Sequence, residues 1–92
     1  MHEKIDIKKI GVILRPSTPH LKDIFYYIKR IFEKYNVTVS IDSISAEAIG
    51  IIGVDFDLMC SYIDILITVG GDGTLISGVR RSYPYNRNIM RI

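Results

Sequence analysis

The feature that most constrains this chain is an apolar run that ends in glycine. Residues 65–69 form a strand-length segment rich in β-branched side chains, which predicts a buried strand of a parallel sheet. Two glycines, an aspartate, a third glycine and a threonine follow at 70–74, and Leu75, Ile76 and Val79 then recur at helical spacing. The unit is therefore a strand, a glycine turn and a helix. Ligands of open α/β sheets bind beyond the carboxyl ends of the strands, where such turns lie.

The composition of this turn is typical of an anion site. Glycines let the backbone turn tightly and approach a ligand closely, and the free N–H groups at the start of the next helix favour phosphate. Either Thr74 or Asp72 can cap that helix. The turn is not a P-loop, because Val79-Arg80 replaces the required Lys-Ser/Thr pair. It is not the dinucleotide fingerprint either, because Ile76 replaces the third glycine.

Asp72 is the most informative residue of the turn, because a carboxylate aimed directly at a phosphate would be repelled. Two functional interpretations are consistent with it. The carboxylate binds a metal that bridges to the phosphates, or it holds the hydroxyl that attacks one, which is a usual part of phosphoryl transfer. In a third, structural interpretation Asp72 only caps the helix. The spacing leaves these interpretations open.

The rest of the chain predicts further strands and one clear helix. Strands are predicted at 9–14 and 37–41, with another opening at 89–92. Apolar residues at helical spacing predict a helix over 20–35. Its start is predicted at Thr18-Pro19, as N-cap and first helical residue. Asn36 is its predicted C-cap.

Shorter features complete this prediction. Short helices are expected at 45–49, ended by Gly50, and at 55–61, while residues 1–8 are expected to be flexible. Asp55 and Asp57 have the spacing of a metal pair, but a solvated helix start explains them better. Asp64 precedes the motif strand, on the order of 20 Å from Asp72, so a structural role is expected.

The predicted fold is a three-layer αβα domain with a parallel sheet. Right-handed crossovers bring the carboxyl ends of the first and third strands to one edge of that sheet. Arg15 follows the first strand and Asp72 follows the third, so both are expected to face a common cleft. Arg15 could reach a bound phosphate there, or it could be a solvated residue of the turn.

Composition argues against several classes of function. The 12 basic and 10 acidic residues leave a net charge of +2, which is too balanced for a nucleic-acid surface. No apolar run approaches the roughly 20 residues of a membrane span, so no membrane partner is expected. The single cysteine, Cys60, cannot form an intrachain disulfide and is expected in the core. Together with a charged amino terminus that has no signal-like apolar segment, it favours a cytoplasmic protein.

The glycine turn and its flanks also carry a family resemblance. The motif strand and the glycine turn after it, residues 64–69 and 70–81, resemble the signature of the NAD kinases. These kinases belong to a group that also includes diacylglycerol and sphingosine kinases and, more distantly, phosphofructokinases. The flanks favour NAD kinase. Residues 10–16 resemble the first strand and turn of that family, 62–64 its lead-in to the motif strand, and 88–90 the start of its next strand.

This resemblance implies a Rossmann-like amino-terminal domain and a reaction. The reaction is transfer of a phosphoryl group from ATP, or polyphosphate, to the 2′-hydroxyl of NAD, giving NADP, with Asp72 as proton acceptor. Mg²⁺ or another divalent cation is expected, although no ligand to it is assigned. The residues expected around the substrates are Gly70, Gly71, Asp72, Gly73 and Thr74, with Arg15 as an additional candidate.

The chain departs from the family in three ways. Ser77 replaces an Arg or Lys that touches the dinucleotide in many bacterial relatives, and it cannot supply that charge. Arg91 stands where the family usually has a small residue. NAD kinases are also longer, with an Asn-Asn-Glu or Asn-Glu/Asp segment and a mostly β domain downstream. We therefore interpret residues 1–92 as one α/β domain, the amino-terminal piece of a two-domain kinase. We expect the piece alone to be inactive and the whole enzyme to form a homo-oligomer.

Two alternatives remain open on the same residues. A lipid kinase of the diacylglycerol type uses the same turn, but its motif usually continues with an Asn-Glu pair, and Leu75-Ile76-Ser77 does not. A non-catalytic α/β nucleotide-binding or interaction module is the alternative from another class. A downstream Asn-Glu/Asp segment and a β-rich tail would favour the kinase.

Gly73→Val tests the phosphate cradle. We expect it to abolish ATP-dependent activity of the whole enzyme and to destabilise the domain, because a branched side chain blocks a glycine-only conformation and the approach of phosphate. Activity assays and thermal unfolding measure the two effects. A variant as active and as stable as the parent would contradict the cradle.

Overall fold

A sheet of four parallel strands forms the centre of the computed structural model, which describes residues 7–70 and 88–92. The strands are β1 (Lys9–Leu14), β2 (Thr38–Ile41), β3 (Ile65–Val69) and β4 (Asn88–Arg91). Their order in the sheet is β2-β1-β3-β4, and each neighbouring pair is parallel. The predicted parallel sheet is confirmed. The predicted helix after residue 74 lies outside the described residues.

Helices cover both faces of this sheet. Those in the described part of the chain are α1 (Leu21–Lys34), α2 (Ser43–Ala48) and α3 (Phe56–Tyr62). One buried cluster joins Val12 and Ile67 to α1 and α2, and a second joins Ile13 and Leu66 to α3. Successive strand side chains point to opposite faces of a sheet, so α3 lies on the face opposite α1 and α2. The predicted three-layer αβα architecture is confirmed.

The start of α1 differs from the prediction. The N-cap is His20, which has a left-handed φ of 58° and makes no side-chain capping bond. The Thr18 N–H instead donates to the Arg15 carbonyl at 3.0 Å, so Thr18 belongs to the turn that leaves β1. The predicted N-cap at Thr18 and first helical residue at Pro19 are therefore wrong, because the turn uses these residues before the helix begins at Leu21.

The end of α1 is close to the prediction. Tyr35 is the C-cap, and Asn36 follows it with a left-handed φ of 61°. The Val37 N–H donates to the Phe32 carbonyl at 3.0 Å and the Asn36 N–H to the Glu33 carbonyl at 3.1 Å, the bonds of a Schellman motif. Asn36 thus ends the helix as predicted, one position beyond the cap itself.

The amino ends of β1 and β3 are joined by a carboxylate. Asp64 Oδ2 accepts the Lys8 N–H at 2.8 Å and the Lys9 N–H at 2.9 Å, which agrees with the structural role expected for Asp64. Ile7 packs against the larger core cluster. Residues 1–6 lie outside the described residues, but Ile7 and Lys8, expected to be flexible, are held by these contacts.

The shorter elements correspond to the predicted ones with shifted bounds. α2 covers Ser43–Ala48 rather than 45–49, and Gly50 follows its end with a φ of 74°. Asp55 caps α3 by accepting the Leu58 N–H at 3.2 Å, in agreement with the helix-start interpretation. Cys60 is fully buried, as expected for a core residue. Within the described residues, no helix has the length and apolar character needed to cross a membrane.

Gly53 is packed against the end of β2 with no room for a side chain. A Cβ at this position would lie 2.6 Å from the Asp42 carbonyl oxygen and 2.7 Å from the Ala46 Cβ. The next residue, Val54, donates its N–H to the Ile41 carbonyl at 2.9 Å and accepts the Ser43 N–H at 2.7 Å. These two bonds prevent the segment from moving away, so only glycine fits.

Gly53→Ala is therefore predicted to destabilise the fold by about 3 kcal/mol, because the new methyl group collides with fixed backbone. Gly50→Ala is the matched comparison. Nothing lies within 4 Å of a Cβ at Gly50, but its φ of 74° disfavours a side chain, and we expect a loss of about 1 kcal/mol. Chemical denaturation of the whole protein measures both. Equal losses, or the reverse order, would contradict the close packing.

Candidate functional site

The carboxyl ends of β1 and β3 lie side by side at one edge of the sheet. The register pairs Ile10 with Ile65 at one end and Leu14 with Val69 at the other. The Arg15 N–H continues this ladder by donating to the Val69 carbonyl at 2.9 Å. The residues that leave the two strands, Arg15 and Gly70, are therefore neighbours. The glycine-rich segment starts beside the turn that follows β1.

A groove of about 520 Å³ opens at this edge. Its described walls come from the turn after β1, the start of α1, the end of β3 and the residue after β4. They are Arg15, Ser17, Thr18, Pro19, Ile24, Val69, Gly70 and Ile92. A groove in this position agrees with the general location of ligands in open α/β sheets.

Gly70 adopts a backbone conformation that requires glycine. Its φ is 137°, a region that residues with a Cβ rarely adopt. Next to it, the Ile92 N–H donates to the Thr68 carbonyl at 2.8 Å, and the Gly70 N–H approaches the Ile92 carbonyl at 3.4 Å. The chain thus leaves the sheet at Gly70, at the mouth of the groove.

Arg15 provides the charge of the described walls. Among the described lining residues it is the only one with a charged side chain, and it is exposed to solvent. The hydroxyl groups of Ser17 and Thr18 belong to the same turn and can donate hydrogen bonds. An accessible guanidinium beside hydroxyl groups suits an anionic ligand such as a phosphate.

The structure brings together only part of the predicted site. Arg15 and Gly70 line one groove. The other predicted residues, Gly71, Asp72, Gly73 and Thr74, lie outside the described residues. In the part of the chain that is described, no group of three His, Cys, Asp or Glu side chains could hold a metal ion.

Three buried polar residues near this edge were not predicted. Asp42, Ser45 and Thr68 are 1%, 3% and 1% exposed. Ser45 Oγ accepts the Leu14 N–H at 2.9 Å, whereas Thr68 Oγ1 has no hydrogen-bond partner among the described residues. The capping role of Asp42 could have been predicted from its sequence position. It follows a predicted strand and stands three residues before Ser45, which is typical of an N-cap.

Curated relatives cover nearly all of this chain. The NAD kinase of Wolinella succinogenes is 54% identical over 86 residues, which are 94% of the chain and 30% of that protein. The NAD kinase of Sulfurimonas denitrificans is 48% identical over 100% of the chain and 32% of its own length. That of Helicobacter hepaticus is 44% identical over 94% of the chain and 29% of its length. The chain belongs to the NAD kinase family. No protein-family model matches it.

Within the NAD kinase family, this chain corresponds to the amino-terminal part of the longer relatives. It spans about 30% of the length of the curated relatives it matches. The family resemblance of the glycine motif and its flanks is thereby confirmed. Of the predicted site residues, Arg15 and Gly70 are described, and both line the groove at the ends of β1 and β3.

Arg15→Gln tests whether this groove binds phosphate. We expect the affinity of the whole protein for ATP to fall about three- to tenfold, because an exposed charge-assisted contact is lost. Calorimetric titration measures the change, and the difference should shrink as salt screens the charge. Arg30→Gln, on the exposed side of α1 outside the groove, is the matched control. Equal losses in the two variants would contradict a specific role for Arg15.

Proposed function

We propose that this chain is the amino-terminal domain of an enzyme that phosphorylates NAD. The enzyme transfers the γ-phosphoryl group of ATP to the 2′-hydroxyl of the adenosine ribose, giving NADP and ADP. The observation that carries the proposal is the position of Gly70, the first residue of the glycine motif. Gly70 lies with Arg15 at the groove where the parallel strands end. Membership of the NAD kinase family supports this function over a lipid kinase or a non-catalytic module.

In this proposal the backbone of the glycine turn binds phosphate. The Gly70 N–H approaches the Ile92 carbonyl, so Gly70 provides the turn of the chain. The N–H groups of Gly71, Gly73 and Thr74 approach the phosphate oxygens, because the glycines leave the backbone uncovered. The positive end of the following helix adds to the attraction. Arg15 follows the neighbouring strand β1 at the same edge of the sheet, and its guanidinium offers hydrogen-bond donors to the phosphates.

Asp72 acts on the hydroxyl group that attacks. The 2′-oxygen forms a bond to the γ-phosphorus while the bond from that phosphorus to the β–γ bridging oxygen breaks, and ADP departs. The proton of the 2′-hydroxyl passes to the Asp72 carboxylate late in a loose transition state. A carboxylate is a weak base for an alcohol, so its larger effect is to align the hydroxyl with phosphorus.

The divalent cation is assigned no protein ligand. The described residues contain no set of three suitable side chains, and Mg²⁺ in such enzymes is commonly held by substrate phosphates with few protein groups. When bound, Mg²⁺ would accompany the phosphates of ATP and neutralise part of their charge.

The remaining assignments concern the whole enzyme. We place it in the cytoplasm, as the single cysteine suggests, and we expect it to be a homo-oligomer. Residues 1–92 are proposed to be one α/β domain of a two-domain enzyme. The second domain is proposed to hold the dinucleotide, because Arg15 and the glycine turn form only one wall of a site.

Asp72→Asn tests the proposed mechanism. We expect the turnover number for NADP formation by the whole enzyme to fall about a hundredfold or more, the scale of losing a positioned base. The KM values should change little, since the amide keeps the size of the side chain. A coupled assay for NADP measures both constants.

Asp57→Asn, an exposed acidic residue in the first turn of α3, makes the same chemical change away from the groove. Its turnover should match that of the parent. Near-normal turnover in Asp72→Asn would leave Asp72 with no more than a capping role.

A further inference from the structure

The end of β1 extends beyond its neighbour β2. Their register runs from Lys9 opposite Thr38 to Val12 opposite Ile41, and the Asp42 N–H makes a long last bond of 3.5 Å to the Val12 carbonyl. In a parallel strand the N–H and carbonyl of alternate residues face the same neighbour. The Leu14 N–H therefore points towards β2, where the strand has already ended.

Ser45 replaces the missing strand residue. Its Oγ accepts the Leu14 N–H at 2.9 Å, and both residues are buried, with Ser45 3% exposed and Leu14 5% exposed. A buried N–H without an acceptor is costly, so this side chain completes the ladder at the last residue of β1. The other side of β1 is completed by the next residue, since the Arg15 N–H donates to the Val69 carbonyl at 2.9 Å.

Asp42 in turn holds Ser45. It is the N-cap of α2, and its Oδ2 accepts the Ser45 N–H at 3.4 Å, while its backbone carbonyl accepts the Ala46 N–H at 2.9 Å. Its second carboxylate oxygen, Oδ1, is buried with no hydrogen-bond partner among the described residues. An apolar residue would avoid the cost of burying this oxygen, but it could not fix the Ser45 N–H.

The chain of contacts from Asp42 ends at the groove. Leu14 is followed directly by Arg15, whose carbonyl accepts the Thr18 N–H at 3.0 Å and so begins the turn. Both Arg15 and Thr18 line the groove. The bonds of the Leu14 and Arg15 N–H groups are thus the last links to the neighbouring elements before the turn.

We propose that Ser45, held by Asp42, is a positioning residue for the Arg15 turn and thereby sets the affinity of the site for nucleotide phosphate. The proposal rests on the proposed function, in which Arg15 contacts phosphate. Ser45 touches no substrate. It acts through the Leu14 backbone, and it ties a helix on one face of the sheet to a turn at the edge of the sheet.

Ser45→Ala in the whole protein tests this role. Loss of the Leu14 acceptor should let the end of β1 move, so we expect the KM for ATP to rise about fivefold while kcat changes less than about twofold. The dissociation constant for ATP, measured by calorimetry, should rise in parallel.

Two control variants separate positioning from stability. Ile49→Val removes one methylene group from the buried C-cap residue of the same helix and lowers the melting temperature without touching the Leu14 bond. Ser43→Ala changes an exposed serine of the same first turn. Both should keep the parental KM. The positioning role would be overturned if KM rose as the melting temperature fell across all three variants. It would also be overturned if KM did not rise in Ser45→Ala.

Substitutions at Asp42 test the second link. Asp42→Ala removes the acceptor of the Ser45 N–H and should reproduce the KM rise. Asp42→Asn keeps a side-chain oxygen that can accept the Ser45 N–H, so its KM should rise less than that of Asp42→Ala. Equal rises in KM would contradict the role of Asp42 in holding Ser45. If the parent made no NADP, the proposed function would fail, and the ATP dissociation constants of the same variants would still decide the positioning role.

Discussion

The parallel pairing of β1 with β3 is the contact on which the rest of this structure depends. It joins residues more than fifty positions apart, from Ile10 with Ile65 to Leu14 with Val69. It also gives both strands a common direction, so both chains leave the sheet at the same edge. Because Arg15 and Gly70 follow the last paired residues, the groove between them is a direct consequence of the register. A shift by one residue would exchange the faces of every side chain in the strand and move Arg15 away from Gly70.

Polar contacts complete this pairing at both ends. At the amino end, the Asp64 carboxylate accepts the backbone N–H groups of Lys8 and Lys9. At the carboxyl end, Ser45 accepts the N–H of Leu14, beyond the end of β2. The hydrophobic effect drives burial of the apolar strand residues, but it is not directional and does not set where a strand ends. The directional bonds at its two ends therefore define where β1 starts and stops, and the position of the groove follows from them.

Features encoded by neighbouring residues could be predicted from the sequence, and contacts between distant residues could not. The apolar runs gave β1 and β3 their observed bounds, 9–14 and 65–69, and Asn36 ended its helix through a local preference for left-handed backbone. The start of α1 was misplaced because the Thr18 N–H closes a turn with Arg15 instead of starting a helix. Gly53 has no room for a side chain because the Asp42 carbonyl lies against it, and Ser45 is needed as the acceptor of the Leu14 N–H. These constraints come from contacts in the folded chain, so no local sequence pattern predicts them. Of the predicted phosphate turn, Gly70 alone is described, and its φ of 137° agrees with the glycine at that position.

The claim that the groove at the ends of β1 and β3 binds nucleotide phosphate is tested most directly by a crystal structure of the whole protein with a non-hydrolysable ATP analogue. We expect phosphate oxygens within hydrogen-bond distance of the Arg15 guanidinium and of the backbone N–H groups that follow Gly70. We also expect the Leu14 N–H to remain bonded to Ser45. Phosphates bound away from this edge of the sheet, with the groove beside Arg15 filled by other groups, would contradict it.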